Sequence, residues 1–308
     1  MLPFPQLVEY GNVVVPSFLG NYEAQTYSAM SVRAEMGYCS TPSGDIYALG
    51  GVNGGTYYRD FWKYTASTDT WSSLLQHPQG LRGGPAMAHD PVNNMIYVFG
   101  GSTGTPALST KRNDMYRYNI STGTWSAAIV GTGTVPAARV HASMRYYNGK
   151  LYLFGDYYTQ AAASTISVYD IASNTWTPLA NSPYPMSYVS STAMIDSDLY
   201  AIGVQGGSGT PGSGGTYHLM KYSTVSNTWD LLFSTSIQIG RIEYFNTVLV
   251  LMGFDTGSLY KSDLSNLTFL STIPGYAVDS NIFSAVQNSF ILTMGGKTPT
   301  TTQAFKLT

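Results

Sequence analysis

Tryptophan recurs in this chain at a nearly constant interval. Trp71, Trp125, Trp176 and Trp229 are spaced 54, 51 and 53 residues apart. Each closes a short polar phrase: Thr68-Asp69-Thr70-Trp71, Thr122-Gly123-Thr124-Trp125, Ser173-Asn174-Thr175-Trp176 and Ser226-Asn227-Thr228-Trp229. A fixed period of about fifty residues restricts a chain to repeat architectures, in which one supersecondary unit stacks on copies of itself. Upstream of each phrase lies an apolar run ending in glycine: Ile46 to Gly50, Ile96 to Gly100, Leu151 to Gly155 and Leu199 to Gly203. Weaker copies follow at Val248 to Gly253 and Phe290 to Gly295, which makes six units.

Two more strands complete each unit. One carries a tyrosine between the glycine and the tryptophan, as in Asp60 to Tyr64 and Asp114 to Tyr118. The other precedes the apolar run, as in Ala142 to Tyr147 before Asn148-Gly149, a dipeptide suited to a two-residue hairpin turn. Four short strands per unit, with no sustained helical period, predict the blade of a β-propeller, and stacking blades buries both faces of the apolar run. The pattern of an apolar strand ending in Gly-Gly, then Tyr, then Trp resembles the kelch repeat. The resemblance covers roughly Asn21 to the C-terminus, with Phe269 in the tryptophan place of unit five. It implies an all-β, six-bladed kelch-like propeller with four-stranded blades.

The ends of the chain predict how the ring closes. Unit six stops at Ala304 to Thr308, its third strand, and Tyr22 precedes Arg33 by 11 residues, as Trp71 precedes Arg82. Gly20 to Gln25 is therefore expected to supply the missing outer strand, which removes an open edge. The domain division is then an N-terminal arm, 1–19, and a propeller, 20–308. Val13, Val14 and Val15 in the arm have no place in the repeat and are expected to be covered, by a blade or as an anchor on a second chain.

Composition narrows the function. Lys and Arg total 15 against 17 Asp and Glu, a net charge of −2, so no basic footprint for nucleic acid is present. Charged residues are 10% of the chain, against about 25% in ordinary soluble domains, so acids and bases for catalysis are scarce. One cysteine, Cys39, excludes an internal disulfide. No Lys or Arg precedes Arg33 and no run near the start is long enough to span a bilayer, so neither a secretory leader nor membrane insertion is expected. The four histidines, His77, His89, His141 and His218, are scattered and show no metal-ligand spacing. No metal and no cofactor is therefore expected. The copper site of kelch-type galactose oxidases and the iron motif of kelch specifier proteins are absent.

Candidate site residues come from the repeat. Arg33, Arg82, Arg139 and Arg241 lie just before the inner strand of their units, and Glu35, His141 and Glu243 follow three of them by two residues. Two readings are open. The arginines form a ring at one channel mouth that binds acidic groups, with Glu35, His141 and Glu243 one layer deeper; or each arginine bonds backbone carbonyls and organises loops. The Ser102–Lys111 and Gly206–Gly215 loops and the tyrosines near strand ends are further contact candidates. The leading functional expectation is a non-catalytic binding or structural module of a multiprotein assembly. Phe4 to Asn12 resembles the opening of some tail-associated proteins of tailed bacteriophages, which implies a virion appendage touching a host-surface glycan or a neighbouring structural protein. The alternative implied by the kelch resemblance is a sugar-acid mutarotase of the sialic acid type, using Arg33, Glu35, Arg139 and His141 for proton transfer in an otherwise cytoplasmic protein.

Overall fold

The computed structural model describes residues 23–26, 31, 33–105, 109–156, 163–186, 192–206, 215–245, 248–253, 258–272, 282–286, 290–294 and 303–307. The regular elements among them are strands, and the chain is an all-β β-propeller. Val13 to Val15, the rest of the arm and Tyr22 lie outside the described residues.

The strands form six sheets of four or five strands and one two-stranded ribbon. Unit one runs Gly37–Ser40, Ile46–Leu49, Phe61–Thr65 and Thr70–Leu74 from inside to outside, each antiparallel to the last. Unit two repeats this with Ala86–Asp90, Met95–Phe99, Met115–Asn119 and Thr124–Trp125. Unit three uses Ser143–Tyr147, Lys150–Phe154, Ile166–Asp170 and Thr175–Pro178, and adds Thr132–Gly133 in parallel on its outer edge. Unit four has Thr192–Ile195, Asp198–Gln205, Thr216–Ser223 and Thr228–Thr235; unit five has Ile239–Phe245, Val248–Gly253, Ser258–Ser262 and Leu267–Thr272. The last sheet orders Ile282–Val286, Phe290–Met294, Gln303–Leu307 and then Glu23–Thr26. Glu23 sits opposite Lys306 and Thr26 opposite Gln303, so the N-terminal strand does complete the C-terminal sheet. The innermost strands touch one another in sequence order, and the last touches the first.

The recurring tryptophan has a recurring partner. Tyr64 lies directly opposite Trp71, Tyr118 opposite Trp125, Tyr169 opposite Trp176, and Tyr222 opposite Trp229. Ring centroids in these pairs are 5.1–5.5 Å apart, in the range where aromatic pairs attract beyond simple burial. Tyr260 and Phe269 form the equivalent pair in unit five. The polar phrase before each tryptophan is the turn between these strands. Asp69, Asn174 and Asn227 take left-handed backbone there, a conformation Asx residues tolerate. Their side chains accept hydrogen bonds from the hydroxyls of Tyr64, Tyr169 and Tyr222 at 2.5, 2.6 and 2.7 Å. Gly123 fills the same place in unit two.

The second strands are the core. Ile46–Leu49 is buried at every position, and Ile96 to Phe99 and Leu151 to Phe154 are equally enclosed. The glycine that ends each strand is required by the next unit. Gly50 has φ +66°, and a Cβ there would lie 2.0 Å from the Arg82 carbonyl oxygen. The following glycine donates its N–H to that same carbonyl at 2.8 Å, Gly51 to Arg82 and, one unit on, Gly101 to Arg139. Neighbouring units are thus joined by a backbone hydrogen bond that admits no side chain.

Candidate binding site at the channel

Arg33, Arg82 and Arg139 occupy equivalent places, and all three are buried. Arg33 donates from Nη1 to the Gly50 carbonyl at 3.2 Å and to Asp60, from Nε to the Ser31 carbonyl and from Nη2 to Ser31 Oγ, while its guanidinium lies 3.8 Å over the Tyr58 ring. Arg82 pairs with Asp114 at 2.5 Å. Arg139 donates to the Gly155 and Thr165 carbonyls and to Thr165 Oγ1. Asp60, Asp114 and Thr165 each immediately precede the third strand of their unit. Each arginine therefore fastens the start of its first strand to the crossing from second strand to third. Burial lowers the Arg82 pKa and brings Arg139 down to about 10.

The four arginines do not all occupy one repeat position. Three are built into the walls, and Arg241 is not their equivalent. It sits inside the inner strand of unit five, opposite Met252, where the other units have Gly37, Ala86 and Ser143 opposite the residue before the strand-end glycine. The register shifts between Ile239 and Arg241, leaving Gly240 over as a bulge. The bulge and the longer strand carry Arg241 past the place its neighbours hold.

The same register assigns Glu243 a different partner. It faces Val250, three residues before Gly253, as Cys39 faces Tyr47, Ala88 faces Tyr97, Arg145 faces Tyr152 and Ala193 faces Tyr200. Glu243 and Arg145 are one repeat position in two units, and they meet: Arg145 Nη2 donates to Glu243 Oε1 at 3.2 Å. Arg145 reaches across unit four to do so, donating from Nε to the Thr192 carbonyl at 2.6 Å on the way. Burial pushes the Glu243 carboxyl up to about 7, against the pull of Arg145 and Arg241. Arg145 is the residue that reading the repeat from its arginines missed.

Two cavities open beside Arg145. At the hairpin end, where first strands turn into second, a cavity of about 380 Å³ is lined by Arg145, Tyr146, Tyr244, His89, Pro42 and Pro91, among others. At the loop end, where the chain crosses between units, a void of about 30 Å³ is lined by Met36, Gly84, His141, Met144 and Arg145, among others. Glu35 and His141 come together near this end, His141 Nε2 lying 3.4 Å from Glu35 Oε2. Between them runs a backbone chain: Gly84 donates to the Glu35 carbonyl at 2.6 Å, and His141 donates to the Gly84 carbonyl at 2.7 Å. The seven expected residues therefore divide into wall anchors, the Glu35–His141 pair, and Glu243 with its neighbour Arg241.

Residues 39–251 match the model of the KLHDC2/KLHL20/DRC7 Kelch-repeats domain. The chain belongs to the kelch-repeat family. Kelch domain-containing protein 1 of Mus musculus is 31% identical over 147 residues, which cover 45% of this chain and 34% of that protein. Multiple epidermal growth factor-like domains protein 8 of Mus musculus is 29% identical over 156 residues, 47% of this chain and 6% of that protein. The match thus spans a minor part of either relative. The solved structure of YjhT superposes with a TM-score of 0.68 over 91% of this chain and 94% of its own at 14% identity, a likeness of fold.

Cys39, His77 and His218 of this kelch propeller are buried. Cys39 is buried, and burial raises its thiol pKa. His77 stands edge-on to Tyr116 and Trp125, and burial drives its pKa down to about 3. His218 stacks on Tyr184 at 3.6 Å and bonds Ser234. The Ser102–Lys111 loop is tied back by Lys111, which pairs with the buried Asp156 at 2.8 Å. Of the tyrosines near strand ends, Tyr58 covers Arg33 and Tyr146 lines the larger cavity, while Tyr157, Tyr158, Tyr188 and most of the Gly206–Gly215 loop fall outside the described residues. No helix of the described residues is long and apolar enough to cross a membrane.

Proposed function

We propose that this kelch propeller is a non-catalytic binding module that receives its partner at the hairpin end of the channel. The carrying observation is the cavity of about 380 Å³, edged by Tyr146, Tyr244, Pro42 and Pro91 with Arg145 in its lining. Tyrosine and proline offer flat contact area with little side-chain entropy to lose, and Tyr244 is 38% exposed. The partner is read as a neighbouring structural protein of an assembly, with a host-surface glycan as a further ligand. The resemblance of Phe4 to Asn12 to phage tail-associated proteins favours a virion appendage. We read the propeller as six-bladed, one blade per sheet, because the innermost strands touch in a closed sequence.

A second reading, a sugar-acid mutarotase, moves the proton transfer from the expected Arg33, Glu35, Arg139 and His141 to Glu243, which accepts from Arg145 at 3.2 Å and whose pKa is raised by burial to about 7. One experiment weighs the two. Native mass measurement of protein isolated from its source should give a particle far heavier than the 33.3 kDa chain, and Tyr146→Ser with Tyr244→Ser should release the chain from it. A 33.3 kDa species that speeds anomer exchange of sialic acid, and loses this with Glu243→Gln, would overturn the binding reading.

A further inference from the structure

The larger cavity joins groups from four units: Cys39 to Pro42 from unit one, His89 and Pro91 from unit two, Met144 to Tyr146 from unit three and Tyr244 from unit five. Arg145 is the one lining residue with a fixed charge. Its guanidinium has five N–H donors in a rigid fork. The Thr192 carbonyl accepts from Nε and Nη2, and Glu243 accepts from Nη2. These bonds fix the guanidinium plane and leave both Nη1 hydrogens without an acceptor among the described residues. The Arg145 side chain keeps 19% of its surface exposed. A second lining residue is also incompletely satisfied, because the buried Nε2 of His89 has no hydrogen-bond partner.

We propose that the cavity takes an acidic side chain from the partner protein, whose carboxylate accepts hydrogen bonds from Arg145 Nη1. This rests on the hairpin-end binding reading and names the chemistry that enters there. Charge-assisted bonds of this kind are about twice as strong as neutral ones, and no Asp or Glu lines the cavity to oppose the ligand. A volume of about 380 Å³ lies within the usual range for ligand pockets, about 300–1,000 Å³. The rim suits polypeptide better than sugar. Pro42 and Pro91 are exposed, and Val92 next to Pro91 is 77% exposed, whereas Ser40 and Thr41 supply the only aliphatic hydroxyls of the lining. Glu243 is the built-in competitor. Protonated, it leaves the Arg145 charge unbalanced; ionised, it neutralises that charge and repels an incoming carboxylate. Its value of about 7 places this change near neutrality, and the charges acting on it are Arg145 and Arg241. In the cavity itself, burial raises the Cys39 thiol and holds His89 below its ordinary 6.5, so neither gains charge above that pH.

The probes are N-acetyl-glutamate N-methylamide and its glutamine counterpart. Each is titrated into the full chain and followed through the methyl resonance of Met144, which lines the cavity. The glutamate probe should saturate, and the glutamine probe should bind roughly tenfold more weakly. Between pH 6.5 and 8.5 the wild type should lose affinity for the glutamate probe several-fold, and Glu243→Gln should not. Arg145→Met combined with Glu243→Gln removes both members of the pair together; with its fold verified by thermal melting, it should bind the two probes alike. Equal affinity of the wild type for both probes, no saturable shift, or tighter binding of sialic acid than of the glutamate probe would overturn the proposal. So would a native particle that loses the Tyr146→Ser, Tyr244→Ser chain but keeps the Arg145→Met, Glu243→Gln chain, an outcome that leaves the hairpin-end reading standing. A particle that keeps the tyrosine variant would overturn that reading and this one with it.

Discussion

Glu243 is a side chain whose charge near neutral pH depends on the fold. Its carboxyl is raised from an ordinary value of 4.5 to about 7 because burial outweighs the attraction of Arg145 and Arg241. The sign follows from proton binding. Between pH 4.5 and 7 the native state keeps a proton that the unfolded chain has released, so this group's contribution falls as pH rises through the window and levels off above it. The size is on the order of a few kcal/mol. His77 acts oppositely and lower down: its pKa of about 3 makes native stability fall as pH drops below its ordinary 6.5. A comparison with Glu243→Gln cancels the histidine contribution. Relative to wild type, the variant should gain stability from pH 5 to about pH 7 and then level off, measured by urea midpoints. A difference independent of pH would mean that Glu243 is not buried against Arg145.

At the scale of strands, what was legible in the sequence is what the repeat writes in identical letters. Trp71, Trp125, Trp176 and Trp229 were readable because each faces a tyrosine at the same register, and Phe269 could be placed opposite Tyr260 from spacing alone. The candidate site was less legible for two reasons. Arg241 precedes Gly253 by 12 residues, whereas Arg33, Arg82 and Arg139 precede their glycines by 17, 18 and 16. Counting back from the glycine would have separated it from the rest, but the bulge at Gly240 leaves no mark in composition. Arg145 was hidden because its equivalents are Cys39, Ala88 and Ala193, which share no chemistry with it. Repeats record what every unit needs, and a side chain used in one unit leaves no repeated mark. The strand Glu23–Thr26 belongs to the first kind, since the C-terminal sheet has three strands without it. Deleting residues 1–19 should leave the melting temperature unchanged. Deleting 1–26 should lower it by roughly 5 °C or more, the effect of a few kcal/mol in a chain of this size. Equal midpoints for the two truncations would show that the strand adds nothing to stability.

For the molecule as a whole, the decisive matter is whether its sheets melt together. In an open stack each repeat touches only its neighbours, so unfolding starts at an end and spreads. Here the innermost strands touch in order and the last returns to the first. The bond from Gly51 to the Arg82 carbonyl links units one and two, and the bond from Gly101 to the Arg139 carbonyl links two and three. Arg145 then spans three, four and five through Thr192 and Glu243. Losing a unit uncovers its neighbours, and losing any of the first five also breaks one of these links, so partial unfolding has little to stabilise it. Scanning calorimetry should accordingly give one transition whose calorimetric and van't Hoff enthalpies agree. In the 1–26 truncation, where the last sheet loses its outer strand, the calorimetric enthalpy should exceed the van't Hoff value. A full-length chain that already melts in two resolved steps would mean that its sheets behave as a line of neighbours, in spite of the contact between first and last.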